Sequence, residues 1–194
     1  ELAEGMNVDG LVEALQAVVQ RHAVLRTVFK RDETGVDQQV VLEQPLRVHR
    51  DVFENKEAFH NEVKARINQP FNLREAHPLR AGIYVCEQVN YLLLTIHHVA
   101  FDGWSTEILT RELCQHYKHI VNQQPLALPE LSIQYKDFAV WQRGYLQGEL
   151  LDGEIDYWQS KLKGVAPLAF PTDKPRPKEI DYRGKSVDFV LDER

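Results

Sequence analysis

The sequence predicts an α+β fold in which helices are laid on a mixed or mostly antiparallel sheet. Two patterns and their order carry that prediction. Val8, Leu11, Val12, Leu15, Val18 and Val19 fall at the three-then-four spacing of one face of an amphipathic helix. Leu79 to Cys86 and Tyr91 to Ile96 are apolar runs of β-branched and aromatic character separated by Glu87 to Asn90, which reads as a hairpin. Helical and strand patterns then recur along the chain without internal repeats or low-complexity tracts.

The first helix is expected to start after Asn7, whose side chain can accept from free amides of the first turn, and to end near His22. Leu25 to Arg31 and Val36 to Leu42 read as strands around the turn residues Asp32 to Gly35. A second helix is expected from about Lys56 to Asn68, with Phe59, Val63 and Ile67 inward and Pro70 as its stop. The run Tyr91 to Ile96 is apolar on both faces, as in a central strand covered on both sides. Trp104 to Val121 returns to helical spacing through Leu109, Leu113, Tyr117, Ile120 and Val121. Tyr135 to Leu146 and Ile155 to Leu162 read as aromatic-rich helices, with Trp141, Tyr145, Tyr157 and Trp158 expected to pack in the core or between lobes. Four prolines between Val165 and Ile180 exclude regular structure there, and Ser186 to Leu191 reads as a last strand.

At 194 residues, with 23 basic and 29 acidic side chains and a net charge of −6, the chain suits one domain or one lobe of a larger unit. An apolar fraction of 43% with 27% charged residues is that of a globular protein, which excludes disorder over most of its length. Net acidity argues against nucleic acid or an anionic membrane as the main partner. The longest apolar run is far short of the ~20 residues that cross a bilayer. Two cysteines, Cys86 and Cys114, make neither a disulfide framework nor a four-cysteine zinc site. Because the first residue is Glu1 rather than a methionine, the expectation is an excised piece of a cytoplasmic protein whose own start is out of view.

Chemistry concentrates between Ile96 and Trp104, where the sequence runs His97-His98-Val99-Ala100-Phe101-Asp102-Gly103. A strand end that feeds a short loop lets side chains face a cleft while the sheet anchors them. Alternation along a strand turns His97 and His98 in opposite directions, so that one addresses the cleft and the other packs beneath. Asp102 stands where a carboxylate can cap the next helix, and Gly103 lets a backbone amide approach a ligand closely. A base beside an amide donor suits acyl transfer, in which a proton leaves the nucleophile while charge grows on a carbonyl oxygen. Residue by residue the plainer reading competes: a hydrogen-bonded structural histidine and an aspartate that only caps.

Several longer segments add to this loop. Ile96 to Ser105, Ile-His-His-Val-Ala-Phe-Asp-Gly-Trp-Ser, is similar to the HHxxxDG motif of the condensation domains of non-ribosomal peptide synthetases. Arg21 to Phe29 resembles their RHExLRTxF motif, with Ala23 in place of the usual acidic residue, and Tyr135 to Gln142 resembles YxDFAxWQ. Tyr157-Trp158 and Pro171 to Pro177 resemble the region downstream, whereas an SxAQxR-type first motif is absent. The resemblance implies a chloramphenicol acetyltransferase-like fold of two lobes around a tunnel. Residues 1–194 would be the N-terminal lobe, truncated at both ends, and inactive when isolated.

The activity implied is peptide bond formation, in which an amine on one carrier-bound aminoacyl group attacks a carrier-bound thioester. Both substrates would arrive on 4'-phosphopantetheine arms of donor and acceptor peptidyl carrier domains. An adenylation domain and the C-terminal lobe would lie in the same polypeptide, and no intrinsic cofactor or metal is implied. His98 matches the functionally central histidine. A free α-amine has a pKa of about 8 and imidazole about 6.5, so a histidine is a competent proton acceptor. Gly103 would offer its amide to the oxyanion. Asp102 is expected to pair with Arg26 or Arg21, His97 to pack behind the loop, and Trp104 and Ser105 to support the motif at the helix start.

Weaker signals have plainer explanations. Cys114, His116 and His119 could suggest zinc, but Cys114 and His116 project about 200° apart on a helix, so a solvated or half-buried face is the better reading. Gly103-Trp104-Ser105 is half a nucleophile elbow whose second glycine is replaced by Glu107. Trp104-Ser105 directly after Gly103 favours condensation over epimerisation domains, and the paired histidines argue against heterocyclisation domains. The downstream segments, with Gln142-Arg143, look most like the subtype that joins an L-configured donor to an L-configured acceptor. Two alternatives remain open: a non-catalytic docking or recruitment domain of the same fold, and a coenzyme A-dependent acyltransferase of the superfamily.

Overall fold

A computed structural model describes residues 1–35, 37–169, 171–175, 178–179 and 187–190. The chain divides into two compact units, Glu1–Leu146 and Gln147–Arg194. The first holds the sheets and the motif loop.

Helix α1, Val8–Arg21, starts where Asn7 Oδ1 accepts from the amide of Gly10 at 2.9 Å. Its apolar stripe buries Leu11, Ala14, Leu15, Val18 and Val19. Of these, Leu15, Val18 and Val19 form the centre of the main core with Leu25, Leu46 and Leu79. The chain then makes a short 3-10 helix, Ala23–Arg26, before β1, Thr27–Arg31. Here the structure corrects the sequence reading, which begins the strand at Leu25. The Leu25 amide donates to the His22 carbonyl and the Thr27 hydroxyl to the Ala23 carbonyl, and this winding turns Leu25 into the core. Strand β2, Asp37–Val41, pairs antiparallel with β1, and Val36 lies outside the described residues.

Strand β3, Val48–Phe53, is an element the sequence does not announce. Its Val-His-Arg-Asp-Val-Phe pattern is too polar to stand out, and it pairs parallel with β4, Leu79–Cys86, at the sheet edge. Helix α2, Lys56–Asn68, is capped by Asn55 and ends before Pro70. Phe59 is buried and Val63 packs beside it, but Ile67 is 52% exposed. The small cluster under α2 comprises Phe59, Tyr84 and Cys86, and Ile67 does not belong to it.

Strand β5 runs Val89–Ile96, and the order β3-β4-β5 makes β4 the central strand and β5 an edge. That reverses the expectation drawn from the doubly apolar Tyr91–Ile96. Strand β4 is buried along most of its length, whereas every residue of β5 is half-buried. The hairpin is also tighter than expected. Only Glu87 and Gln88 turn the chain, both at positive φ, 50° and 67°, as a two-residue turn matched to strand twist demands.

Helix α3, Gly103–Asn122, lies against α1, and α4, Tyr135–Tyr145, closes the first unit. In the second unit α5 spans Gly148–Leu162, starting well before the Ile155 that the sequence reading gave as its first residue. Trp141, Tyr145, Tyr157 and Trp158 are all more than half exposed, so they are not core residues of this chain. Trp141 and Tyr145 stack on one another along α4, and Tyr157 meets Trp158 edge to face on α5. The described parts of the proline-rich stretch carry no helix or strand. Val187 to Val190 are not in a strand either, while Ser186, Leu191, Arg176 and Pro177 lie outside the described residues. Among the described residues no helix is long and apolar enough to cross a membrane.

The left-handed pair Glu87-Gln88 forgoes about 1–2 kcal/mol per residue relative to residues suited to that conformation. Replacing it by Asn-Gly is expected to raise stability by about 1–2 kcal/mol in urea denaturation, after losing the exposed Lys56–Glu87 ion pair, which contributes little.

Candidate functional site

The motif loop is fixed at both ends. Beyond the last residue of β5 the His97 amide still donates to the Pro78 carbonyl at 2.8 Å, and Ala100 N–H donates back to the His97 carbonyl at 3.0 Å. This closes a tight turn over 97–100. Inside it, His97 Nδ1 accepts from the Val99 amide at 3.0 Å, and the ring meets Phe71 edge to face at 5.5 Å. His98 is exposed on the same turn.

At the far end Asp102 Oδ1 accepts from the Ser105 amide at 2.9 Å and from its hydroxyl at 2.7 Å, while Ser105 Oγ accepts from the Asp102 amide at 3.2 Å. This is a reciprocal capping box on α3. The Ser105 hydroxyl, then its amide, hold the Asp102 carboxyl below the usual range, and nearby His98 adds a smaller pull in the same direction. Gly103 is the first residue of α3, where backbone amides have no intrahelical acceptor. A Cβ there would meet nothing within 4 Å, so no contact within the described residues demands glycine at this position. Trp104 is 86% exposed.

The ion pair expected of Asp102 is not formed among the described residues. Asp102 is exposed and satisfied by the start of its own helix, and neither arginine reaches it. Arg26 instead donates to the carbonyls of Leu42 at 3.0 Å and Gln20 at 3.4 Å, with Glu43 at 3.8 Å. Arg21 pairs with Glu112 of α3, Nε to Oε2 at 3.1 Å, and its Nη2 donates to the Pro129 carbonyl at 2.5 Å. The same carboxylate oxygen lies 2.6 Å from His22 Nε2, and Glu112 is only 4% exposed.

Sequence reasoning missed Glu112 and, with it, His116, which is buried rather than on a solvated or half-buried face. The signal was present. Leu109, Glu112, Leu113, His116 and Ile120 share one helical face, and a charged residue amid an apolar stripe marks a buried pair. Cys114 is exposed, and His119 bonds the Gln124 carbonyl at 2.7 Å. The acid-and-imidazole cluster of His49, Asp51 and Glu62 is already shared by a guanidinium: Arg66 lies 2.8 Å from His49 and 2.5 Å from Glu62.

Cavities flank the loop on two sides. A space of about 100 Å³ lies between α1 and the start of α3, lined by Val18, His22, Leu25, Phe101, Ser105 and Leu109. A second, of about 250 Å³, lies between Val24, Phe29, Val99, Ala100, Tyr135 and Ala139. A larger one, about 620 Å³, opens on the Phe71, His77 and Arg80 side, where Arg80 lies 3.8 Å over the Phe71 ring.

The chain presents a histidine turn between a sheet strand and a capped helix, with side-chain-sized spaces on either side, within an α+β fold that its structural neighbours identify as chloramphenicol acetyltransferase-like. Residues 1–194 match the condensation-domain family along their whole length, and the chain belongs to that family. It is 38% identical to a linear gramicidin synthase of Brevibacillus parabrevis over 97% of this chain and 4% of that protein. It is 37% identical to N-(5-amino-5-carboxypentanoyl)-L-cysteinyl-D-valine synthase of Amycolatopsis lactamdurans, over 93% of this chain and 5% of that one. The chain thus spans a small fraction of these relatives. Among solved structures, the X-domain in complex with OxyB from teicoplanin biosynthesis superposes with a TM-score of 0.75 at 27% identity, covering 88% of this chain and 39% of that one. The epimerization domain from the third module of tyrocidine synthetase B gives 0.74 at 27% identity, covering 88% and 40%.

Two outcomes follow from the buried groups. Glu112→Ala leaves the Arg21 guanidinium without its carboxylate and is expected to cost about 3–5 kcal/mol in urea denaturation, whereas Glu112→Gln, which keeps an acceptor, costs less. His77 and His116 titrate below the ordinary imidazole range, because burial disfavours their charged forms first of all. The unfolded chain takes up those protons near pH ~6.5 and the folded chain resists. Their stabilisation is therefore complete above that pH and is lost as pH falls below it. The melting temperature is expected to drop across that acidic range, and the slope to flatten in a His77→Gln, His116→Gln double variant.

Proposed function

We propose that this chain is the N-terminal lobe of a condensation domain that forms an amide bond between two carrier-bound substrates. In the reaction, the lone pair of an acceptor aminoacyl amine attacks the donor thioester carbonyl. The new C–N bond forms, the C–S bond breaks, and the amine proton passes through a base to the departing thiolate. His98 is that base or the group that orients the amine. The Gly103 amide lies at the open start of α3, suited to the oxyanion that forms on the carbonyl. His97, Asp102 and Ser105 set the height and angle of the turn. Arg21 and Arg26 fix the segment behind it, and Trp104 belongs to the rim.

The single observation that carries this reading is the placement of His98, exposed on a turn pinned by a sheet hydrogen bond before it and a capping box after it. Family membership supports the substrates of this reading: acyl or peptidyl and aminoacyl groups on 4'-phosphopantetheine arms, brought by donor and acceptor carrier domains. An adenylation domain and a second lobe complete the assembly, with no intrinsic cofactor, in the cytoplasm. Joining of an L-donor to an L-acceptor is supported by Gln142-Arg143, Tyr157-Trp158 and Pro171-Thr172-Asp173.

A second reading, a domain of this fold that binds a partner and does not react, is favoured by one observation. The X-domain neighbour was solved as a complex with another protein. The two readings part on turnover. With both carriers loaded and the complete domain present, His98→Ala is expected to lower product formation about 10²- to 10⁴-fold while the melting temperature stays unchanged, since the ring is exposed. Near-native turnover in that variant overturns the reading. Saturable binding of a carrier without any product from the unaltered domain selects the second one.

A further inference from the structure

The turn that carries His98 has a lateral support outside the groups so far placed in the reaction. Because His97 Nδ1 accepts from the Val99 amide at 3.0 Å, one hydrogen bond spans residue 98, from the residue before it to the residue after it. Where the His97 ring stands, the Val99 amide follows, and the His98 main chain lies between them. In the neutral ring an accepting Nδ1 assigns the proton to Nε2. The orientation of that ring depends in turn on what it packs against. Among the described residues its aromatic partner is Phe71, with centroids 5.5 Å apart and planes at 83°, the edge-to-face arrangement in which ring edge and ring face attract.

Phe71 is itself held. It follows Pro70, just past the end of α2, in a segment that runs to Pro78 at the entry to β4. Arg80 of β4 lays its guanidinium 3.8 Å over the Phe71 ring, and its Nη2 donates to the Gln69 carbonyl at 2.8 Å. Arg80 has no carboxylate partner among the described residues, so its planar cation is given over to the ring and to the main chain beside it. The Leu73 carbonyl accepts from the Phe29 amide of β1 at 2.8 Å, and the Pro78 carbonyl accepts from the His97 amide at 2.8 Å. The segment is thus fastened on both sides of Phe71. It meets the motif turn at two points, the ring of His97 and the amide of His97.

We propose that Phe71 is a positioning residue for the reaction: backed by Arg80, it fixes the His97 ring, and through the bond from His97 to Val99 it fixes the turn that presents His98. This role rests on the condensation reading, in which the place of the His98 imidazole decides the rate. Phe71 touches no reacting atom, so its effect falls on the chemical step and not on the binding of either carrier. A displacement of about 1 Å at a reacting group lowers a rate about 10²-fold. Leucine at position 71 keeps apolar bulk and loses the plane that edge-to-face packing needs, whereas tyrosine keeps the plane.

The complete domain with both carriers loaded separates the outcomes, read by kcat, by KM for each carrier, and by the nitrogen resonances of His97 in the substrate-free protein. Phe71→Leu is expected to lower kcat about 10- to 100-fold with both KM values within about twofold, and to shift the His97 Nδ1 and Nε2 resonances. Phe71→Tyr is expected to hold kcat within about threefold of the native value and to leave those resonances in place. Arg80→Gln keeps a donor for the Gln69 carbonyl and takes the cation off the ring. Its kcat is expected to fall about three- to tenfold, and it decides the matter if Phe71→Leu does not fold. Loss of kcat with KM retained, reversed by tyrosine, supports the role. Native kcat in both Phe71→Leu and Arg80→Gln, a rise in KM alone, equal loss in the leucine and tyrosine variants, or His97 resonances that do not move overturns it. His98→Ala is the control: turnover at the native rate removes the condensation reading, and the positioning role with it. If His98→Ala is inactive while Phe71→Leu keeps the native rate and spectrum, only the positioning role falls.

Discussion

A buried carboxylate holds helices α1 and α3 together. Glu112, removed from water between them, answers to two donors from the end of α1, Arg21 and His22. Burying a charge is costly unless its partners are close and well aimed, so helix α3 cannot slide or rotate on α1 without losing both contacts at once. Everything that defines the motif loop is built outward from that pair of helices. Arg21 extends the constraint to Pro129. The Gln134 side chain accepts from Ala23 N–H at 3.0 Å and donates to the Arg21 carbonyl at 3.0 Å, which brings the approach to α4 under the same control. The turn that carries His98 is suspended between β5 and the α3 so anchored.

Asp102 has a different task from the one its motif position suggests. As an exposed cap it satisfies free helix amides, and it needs no arginine to do so. Its importance is directional. Because the Ser105 hydroxyl and amide both converge on one of its oxygens, the backbone of residues 102–105 has a single favourable geometry. That geometry fixes where the Gly103 amide stands relative to the turn before it. Two local devices, a Val99 amide held by His97 and a capping box, thus set where the His98 turn and the Gly103 amide stand relative to one another, with no long-range ion pair at the loop among the described residues.

Much of this was legible in the sequence because the governing interactions are local. Asn7 caps α1, α2 ends before Pro70, β4 spans Leu79–Cys86 and α3 starts at the Asp102 cap, all decided within a few residues. The misreadings have a common cause. Strand β3 forms only because β4 offers it an edge, so its polar sequence gives no warning. The same pairing demotes β5 from the centre of the sheet to its rim, although its composition is that of a central strand. Leu25 reads as strand because an apolar residue beside a β-branched run has no local sign of a 3-10 winding. The Arg21 partner lies 91 positions away, and no spacing rule reaches that far. For the site, the loop followed from the strand-to-helix junction, but alternation alone did not say which of its two histidines faces solvent, and the cavity wall on α4 depends on tertiary placement alone.

The motif turn is held and flanked by two different kinds of contact. Hydrogen bonds, short and directional, fix its backbone and run through His97, Val99 N–H, Asp102 and Ser105. Apolar contact lines the spaces beside it, and its energy follows area and tolerates a change of shape. Val99 takes part in both, its backbone amide bound to His97 while the residue lines the cavity of about 250 Å³. Because the main chain and the side chain of one residue carry the two contacts separately, the lining of that space can change without disturbing the hydrogen bonds that fix the turn.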